Sequence, residues 1–187
     1  MAAAIIGYLL GSIPVALIVG RRHGVDLREV GDRNPGAWNA LEQLGPRRAW
    51  LVFAGDAAKG LAAALIGLAL GDIWTAYAGA AGAMVGHAFP LFASFRGGKS
   101  VMTFSGAVFG LSPLAAAIAL AACIVVSLLH SFRWGARIGV FGFPLVQLAL
   151  DPVEHVIATG ALMSIIGLRY LADRALGERG RRAPARA

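Results

Sequence analysis

The sequence predicts an all-α fold: a polytopic integral membrane protein, a compact bundle of about seven transmembrane helices with one short interfacial helix. Three observations predict it. Of the 187 residues, 58% are hydrophobic and 14% charged, with mean hydropathy +0.70, more apolar surface than a water-soluble domain of this size can hide. Fifteen of the 17 Lys and Arg residues fall in alternate gaps between apolar stretches or after the last of them. Alanine and glycine recur inside the stretches, as in residues 60–64 and 78–83, and small residues let helix backbones approach closely in lipid.

The first apolar stretch, residues 2–20, has no basic segment before it and reads as a retained span rather than a cleaved signal. Between it and the next lies a gap in which Asn34 suits an N-cap, Pro35 the first helical position and Gly45-Pro46 a stop. Ala37, Trp38, Leu41 and Leu44 fall on one face, so this short helix is expected to lie at the membrane surface with Trp38 at headgroup depth. Further spans are expected at 50–71, 73–93, 100–111, 114–130, 138–150 and 153–172. The fourth and sixth are shorter than the roughly 20 residues that cross hydrocarbon and call for tilt or shielding by neighbours. Residues 1–176 form one membrane domain, and 177–187 a basic tail expected to be disordered on the cytoplasmic side.

Orientation follows from charge. The first gap holds six Lys and Arg residues, the third Arg96 and Lys99, the fifth Arg133 and Arg137 and the residues after 172 five arginines, whereas the even gaps and the start of the last span carry only Asp72, Asp151 and Glu154. Short basic loops stay in the cytoplasm, which puts the first residue outside and the odd gaps and tail inside. The net charge of +7 marks attraction to anionic lipid rather than to nucleic acid, because the arginines lack interleaved stacking aromatics. The lone Cys123 provides neither a disulfide nor a metal-ligand pair, and no metal-ligand cluster or cofactor motif appears.

Chemistry is expected on the inner face. The helix start near Gly36 would offer backbone N–H groups to an anion. A second such start follows Phe95-Arg96-Gly97-Gly98-Lys99-Ser100, where paired glycines beside a lysine suit phosphate oxygens. Two anion sites on one face fit a reaction between two phosphate-bearing reactants. Asp56 and Lys59, three apart on one helix face within a span, mark a functional cavity. His87, before Pro90, stands where it could take a proton from a hydroxyl or hydrogen-bond a phosphate. No Ser-His-Asp spacing or nucleophile elbow is present, so covalent catalysis is poorly supported.

Gly11-Ser12-Ile13-Pro14, Asp26-Leu27-Arg28, the string from Gly31 through Asn34-Pro35-Gly36-Ala37 to Asn39, Asp56-x-x-Lys59-Gly60, Gly86-His87-x-Phe89-Pro90 and Phe95-Arg96-Gly97-Gly98-Lys99 together resemble one family. It is the bacterial acyl-phosphate-dependent glycerol-3-phosphate acyltransferases. The resemblance implies transfer of a fatty acyl group from acyl phosphate to the sn-1 hydroxyl of glycerol 3-phosphate, in one step, at the bacterial cytoplasmic membrane. By matched position it places Asn34, Gly36 and Asn39 in one phosphate loop and Gly97, Gly98 and Lys99, with Arg96, in the other. Lys59, Asp56 and His87 would complete the polar floor, with Lys59, His87 and Lys99 catalytic.

The chain differs from the family pattern at Asp32, Arg33, Trp38 and Glu42 in the first loop, Glu42 standing where an arginine is usual. The serine-rich third motif is replaced around Phe132-Arg133-Trp134-Gly135, and Tyr170 and Asp173 stand for a closing histidine and asparagine. Arg33, together with Arg133, is a candidate to restore the charge lost at Glu42. Alternative readings are a homologue that binds phosphorylated lipid precursors or acylates another phosphorylated polyol, and a small-anion transporter, for which no inverted repeat is evident.

Overall fold

The computed structural model describes the backbone of residues 1–182 and side chains through residue 175. Among these residues every regular element is helical: α1 (Ala2–Gly11), α2 (Val15–Arg22), α3 (Ala37–Leu44), α4 (Pro46–Leu70), α5 (Ile73–Ala88), a 3-10 turn (Leu91–Ala93), α6 (Val101–Leu111), α7 (Pro113–Leu129), α8 (Phe132–Leu150) and α9 (Val153–Arg182). Three stretches, Ala2–Arg22, Pro46–Leu70 and Val153–Ala175, are long and apolar enough to cross a membrane by length and composition, and Val101–Leu111 and Pro113–Leu129 are shorter apolar helices. Large apolar side chains such as Leu68, Leu128, Leu129, Phe141, Leu145 and Ile157 are exposed on the outside, as lipid contact requires. The chain is a multi-pass helical membrane protein.

Several boundaries differ from expectation. The first stretch is two helices, because Pro14 has no N–H to bond the Leu10 carbonyl, which takes the Ile13 N–H instead (3.2 Å) and so ends the α-helical ladder. The second helix starts at Pro46 rather than residue 50, its N1 position taking the proline whose preceding Gly45 (φ 74°) ends α3. The third ends at Ala88, before Pro90, and the sixth starts at Phe132 rather than 138, since Arg133 and Arg137 lower the local hydropathy without interrupting the helix. Asn34 does not cap α3; that position is Gly36, two residues on. The helix α9 runs to Arg182, past the expected end at 172, so the expected tail overlaps its last turns; residues 183–187 lie outside the described residues.

Close backbone approach joins the layers. A Cβ on Gly7, Gly11, Gly82 or Gly86 would lie 2.0 to 2.2 Å from a backbone oxygen across the α1–α5 seam, at Gly79, Ala83, Ala4 and Tyr8 in turn. Both helices thus present glycines four apart to one another, a small-residue stripe that substitutes van der Waals contact for the absent hydrophobic drive in lipid. Gly60 and Gly106 do the same between α4 and α6, at 1.9 Å from the Thr103 carbonyl and 1.8 Å from that of Ala57. Farther along the bundle, Gln147 on α8 donates to the Tyr77 hydroxyl (3.1 Å) and accepts from Thr159 of α9 (2.7 Å). This buried polar clamp holds α8 and α9 to α5. Two apolar clusters flank these seams, one from α5 through α9 around Phe104 and Phe143, the other under α3 around Leu27 and Val52.

Candidate active site

The break in the first stretch has a purpose in the packing. Lys59, ten-odd residues into α4 and so roughly 20 Å from its start, donates its Nζ to the Ile13 carbonyl (3.2 Å), which also accepts the Val15 N–H (3.0 Å) at the break. The same ammonium lies 2.9 Å from Asp56 Oδ1, and His87 Nδ1 lies 3.5 Å from that oxygen. Asp56, Lys59 and His87 are 1%, 6% and 6% exposed, so three ionisable groups share one dry site. Removing any one leaves a buried charge or dipole without its partner. Asp56 Oδ2 is buried with no hydrogen-bond donor, which leaves it open to a group on the substrate.

The glycine loop closes over this cluster. Gly98 N–H donates to the His87 carbonyl (3.1 Å), and a Cβ on Gly98 would stand 2.4 Å from His87 Nε2, so the imidazole edge rests directly against the loop backbone. Gly97 accepts from Arg169 Nη2 of α9 (3.1 Å), whose other edge pairs with Asp173 and whose guanidinium lies over the Phe89 ring at 5.7 Å. Lys99 Nζ is 3.5 Å from Asp32 Oδ2 and 5.4 Å above the Tyr170 ring. Ser100, in the left-handed region at φ 61°, turns the chain into α6 and donates its hydroxyl to the Met84 carbonyl (2.6 Å).

A cavity of about 680 Å³ opens beside the cluster. Its polar end is lined by Asp32, Asn34, Gly36, Asp56, His87 and Lys99, with Arg133, Arg137 and Tyr170 on the facing side. Its walls are apolar: Phe104 and Val108 from α6, Ala116 and Ala119 from α7, Val140 and Phe143 from α8. A pocket with a charged mouth and a hydrocarbon interior suits a long amphiphile with an anionic head.

Of the residues expected at the site, Asn34, Gly36, Asp56, His87 and Lys99 line this cavity, while Lys59, Arg96, Gly97 and Gly98 line a small niche that meets it at Asp56 and His87. Asn39 and Arg33 line neither. Asn39 spends its amide on the Leu27 and Val30 carbonyls (2.9 and 3.0 Å), holding the preceding loop against α3. Arg33 is an exposed left-handed turn residue at φ 60°. In the same loop Asp26 takes the Arg28 side chain on both carboxylate oxygens, and those side-chain bonds, then the Arg28 N–H, hold its pKa at about 2. The sequence reading missed Arg169, beside the Tyr170 and Asp173 it noted as departures near the C-terminal end of α9. Its signal was the i, i+4 spacing of Arg169 and Asp173.

Fold and site together define a multi-pass helical membrane protein with a buried ionic cluster at the edge of a largely apolar cavity. Residues 1–175 match the family model described as glycerol-3-phosphate acyltransferase. A glycerol-3-phosphate acyltransferase of Symbiobacterium thermophilum is 36% identical over 174 residues, covering 91% of this chain and 86% of that protein. The crystal structure of PlsY, an integral membrane glycerol 3-phosphate acyltransferase in its glycerol 3-phosphate form, is similar with a TM-score of 0.81 and 30% identity over 96% of this chain and 92% of its own. Its lysophosphatidic acid form is similar at TM-score 0.79 and 29% identity, with the same coverage. The chain belongs to the glycerol-3-phosphate acyltransferase family.

Proposed function

We propose that this protein transfers a fatty acyl group from acyl phosphate to the sn-1 hydroxyl of glycerol 3-phosphate, giving lysophosphatidic acid and inorganic phosphate at the inner face of a bacterial cytoplasmic membrane. One observation carries the reading: Asp56, His87 and Lys99 line a cavity whose walls are apolar, and the niche of Lys59, Gly97 and Gly98 meets it at Asp56 and His87. The acyl chain occupies the apolar depth, and the donor phosphate sits against Lys99 and the start of α6, where amide dipoles favour an anion.

In the reaction the acceptor hydroxyl oxygen attacks the acyl carbonyl carbon, and the bond from that carbon to the phosphate oxygen breaks. A mixed anhydride is already activated, so positioning and stabilisation of the departing phosphate supply most of the acceleration. Lys99 stands at the departing charge. With His87 Nδ1 turned to Asp56, its Nε2 carries the lone pair and receives the hydroxyl proton. Positive-inside asymmetry orients the chain with seven spans, first residue outside and site and C-terminus in the cytoplasm.

The test is purified protein in neutral lipid bicelles with acyl phosphate and labelled glycerol 3-phosphate. Labelled lysophosphatidic acid is expected, and Lys99→Ala should lower kcat by about 100-fold or more, the scale of losing a charge that faces the transition state. Wild-type protein that makes no product, or a Lys99→Ala variant with full turnover, overturns the assignment.

A further inference from the structure

Four of the residues at which this chain leaves the family pattern, Trp38, Glu42, Phe132 and Arg133, lie together around the Trp38 ring. Trp38 of α3 donates its indole N–H to Glu42 Oε1 (2.8 Å), stacks on Phe132 at 6.0 Å with the rings 1° from parallel, and carries the Arg133 guanidinium 5.5 Å above its ring. Phe53 closes the Phe132 edge at 5.8 Å. Glu42 is therefore engaged by the indole, and the first turn of α8 is seated on α3 through an aromatic shelf. Arg133 lies along the cavity mouth beside Asn34 and Gly36, on the loop that leads into Trp38.

Charge decides what Arg133 is for. Among the described residues no carboxylate is within ion-pair distance of Arg133, whereas Lys99 already faces Asp32 at 3.5 Å. Two phosphate reactants bring roughly −2 each into one mouth. Lys99, partly neutralised by Asp32, does not balance both, and Arg133 and Arg137 are the other cations that line the cavity, Arg133 on the α3 side over Trp38. A guanidinium held over an indole face can still offer N–H groups to phosphate oxygens.

We infer that Arg133, held in place by Trp38, binds the phosphate of the acceptor, while Lys99 and the glycine loop hold that of the donor. This rests on the acyl-transfer reading above. Arg133 is a binding residue, Trp38 a positioning residue, and Arg33, outside the cavity, has neither role. The chemistry it recognises, an anionic phosphate ester, is also presented by anionic lipid headgroups, so the measurement is made in neutral phosphatidylcholine bicelles and repeated with phosphatidylglycerol.

The experiment compares KM for both reactants in wild type, Arg133→Ala, Arg133→Lys, Trp38→Ala, Trp38→Phe and Arg33→Ala. Arg133→Ala should raise KM for glycerol 3-phosphate about 10- to 100-fold, the loss of a charge-assisted pair, and change KM for acyl phosphate less than about threefold. Arg133→Lys should recover part of the loss, Trp38→Ala should reproduce part of it, and Trp38→Phe should recover the ring's share. Arg133 is exposed, so its variants should melt with the wild type. An unchanged acceptor KM in Arg133→Ala, a shift in the donor KM instead, the same loss in Arg33→Ala, or an effect confined to phosphatidylglycerol overturns the inference. Should the wild type make no product, the acyl-transfer reading fails by itself. Calorimetric titration of glycerol 3-phosphate into wild type and Arg133→Ala then still decides: binding lost only in the variant supports Arg133, and equal or absent binding overturns it.

Discussion

Gly98→Ala adds one methyl group at the point where loop and imidazole touch. That Cβ would lie 2.4 Å from His87 Nε2 and 3.1 Å from the Pro35 carbonyl, against about 3.4 Å for ordinary contact, so something must move by roughly 1 Å. The ring has little room: His87 is 6% exposed, its Nδ1 faces Asp56, and its own carbonyl holds the Gly98 N–H. The backbone at Gly98 is outside the left-handed region, so the methyl group brings no torsional penalty and the effect is confined to the clash. A displacement of about 1 Å at a reacting group costs on the order of 100-fold in rate, about 2.7 kcal/mol of barrier. Steady-state acyl transfer at saturating concentrations of both reactants should therefore fall about 100-fold, while the melting temperature in detergent stays within a few degrees of wild type. Turnover within threefold of wild type, with the fold intact, would refute the claim that the Gly98 contact sets the position of His87.

Lys59→Met removes the ammonium that serves both Asp56 and the Ile13 carbonyl, and leaving the carboxylate without its lysine should destabilise the protein by about 3 to 5 kcal/mol; a melting temperature equal to wild type would show the cluster to be energetically idle. Asp26 has a native pKa of about 2 against an ordinary 3.8, so its contribution to stability is present above about pH 4 and lost as pH falls through about 2. Asp26→Asn should be the less stable protein at pH 6 and lose that slope in a pH series of thermal melts; an unchanged slope counts against the pairing. Ala119→Phe narrows the apolar wall, displacing roughly three methylene groups at about 0.8 kcal/mol each. Donor chain preference should shift toward shorter acyl groups by about 60-fold in relative kcat/KM, and an unaltered chain profile would place the acyl group elsewhere.

What the sequence disclosed and what it concealed have physical reasons. Asp56, Lys59 and His87 were legible because a buried ion in a lipid-spanning helix is costly and is retained only with partners, and the structure supplies them to one another. The glycine loop was legible because Gly97 and Gly98 interrupt apolar runs where nothing else would. By contrast, the break at Ser12–Pro14 hides inside an unbroken apolar run, and the Lys59 contact that helps satisfy the Ile13 carbonyl there comes from 46 residues away. The clamp of Tyr77, Gln147 and Thr159 joins residues 70 and 82 positions from Tyr77, which no local pattern links. Asn39 carried the right motif position, yet its amide is consumed by the Leu27 and Val30 carbonyls, so its part is to shape the loop. The sixth helix was drawn short because Arg133 and Arg137 read as loop charges, although each lies over an aromatic ring, Trp38 and Trp134 respectively.

The hydroxyl groups along the cavity bear on whether the acyl group ever resides on the protein. Ser100 gives its proton to the Met84 carbonyl at 2.6 Å, and Ser105 gives its own to the Val101 carbonyl one turn back at 3.0 Å. A serine committed to a main-chain acceptor has no base aligned to take its proton, and the imidazole that could serve, His87, is held instead between Asp56 and Gly98. Cys123 sits on the α7 wall of the cavity. Either serine would therefore have to break a bond to the main chain before it could react. An acceptor hydroxyl has no such bond to break, and direct transfer of the acyl group from acyl phosphate to that hydroxyl is the route the proposed reaction takes.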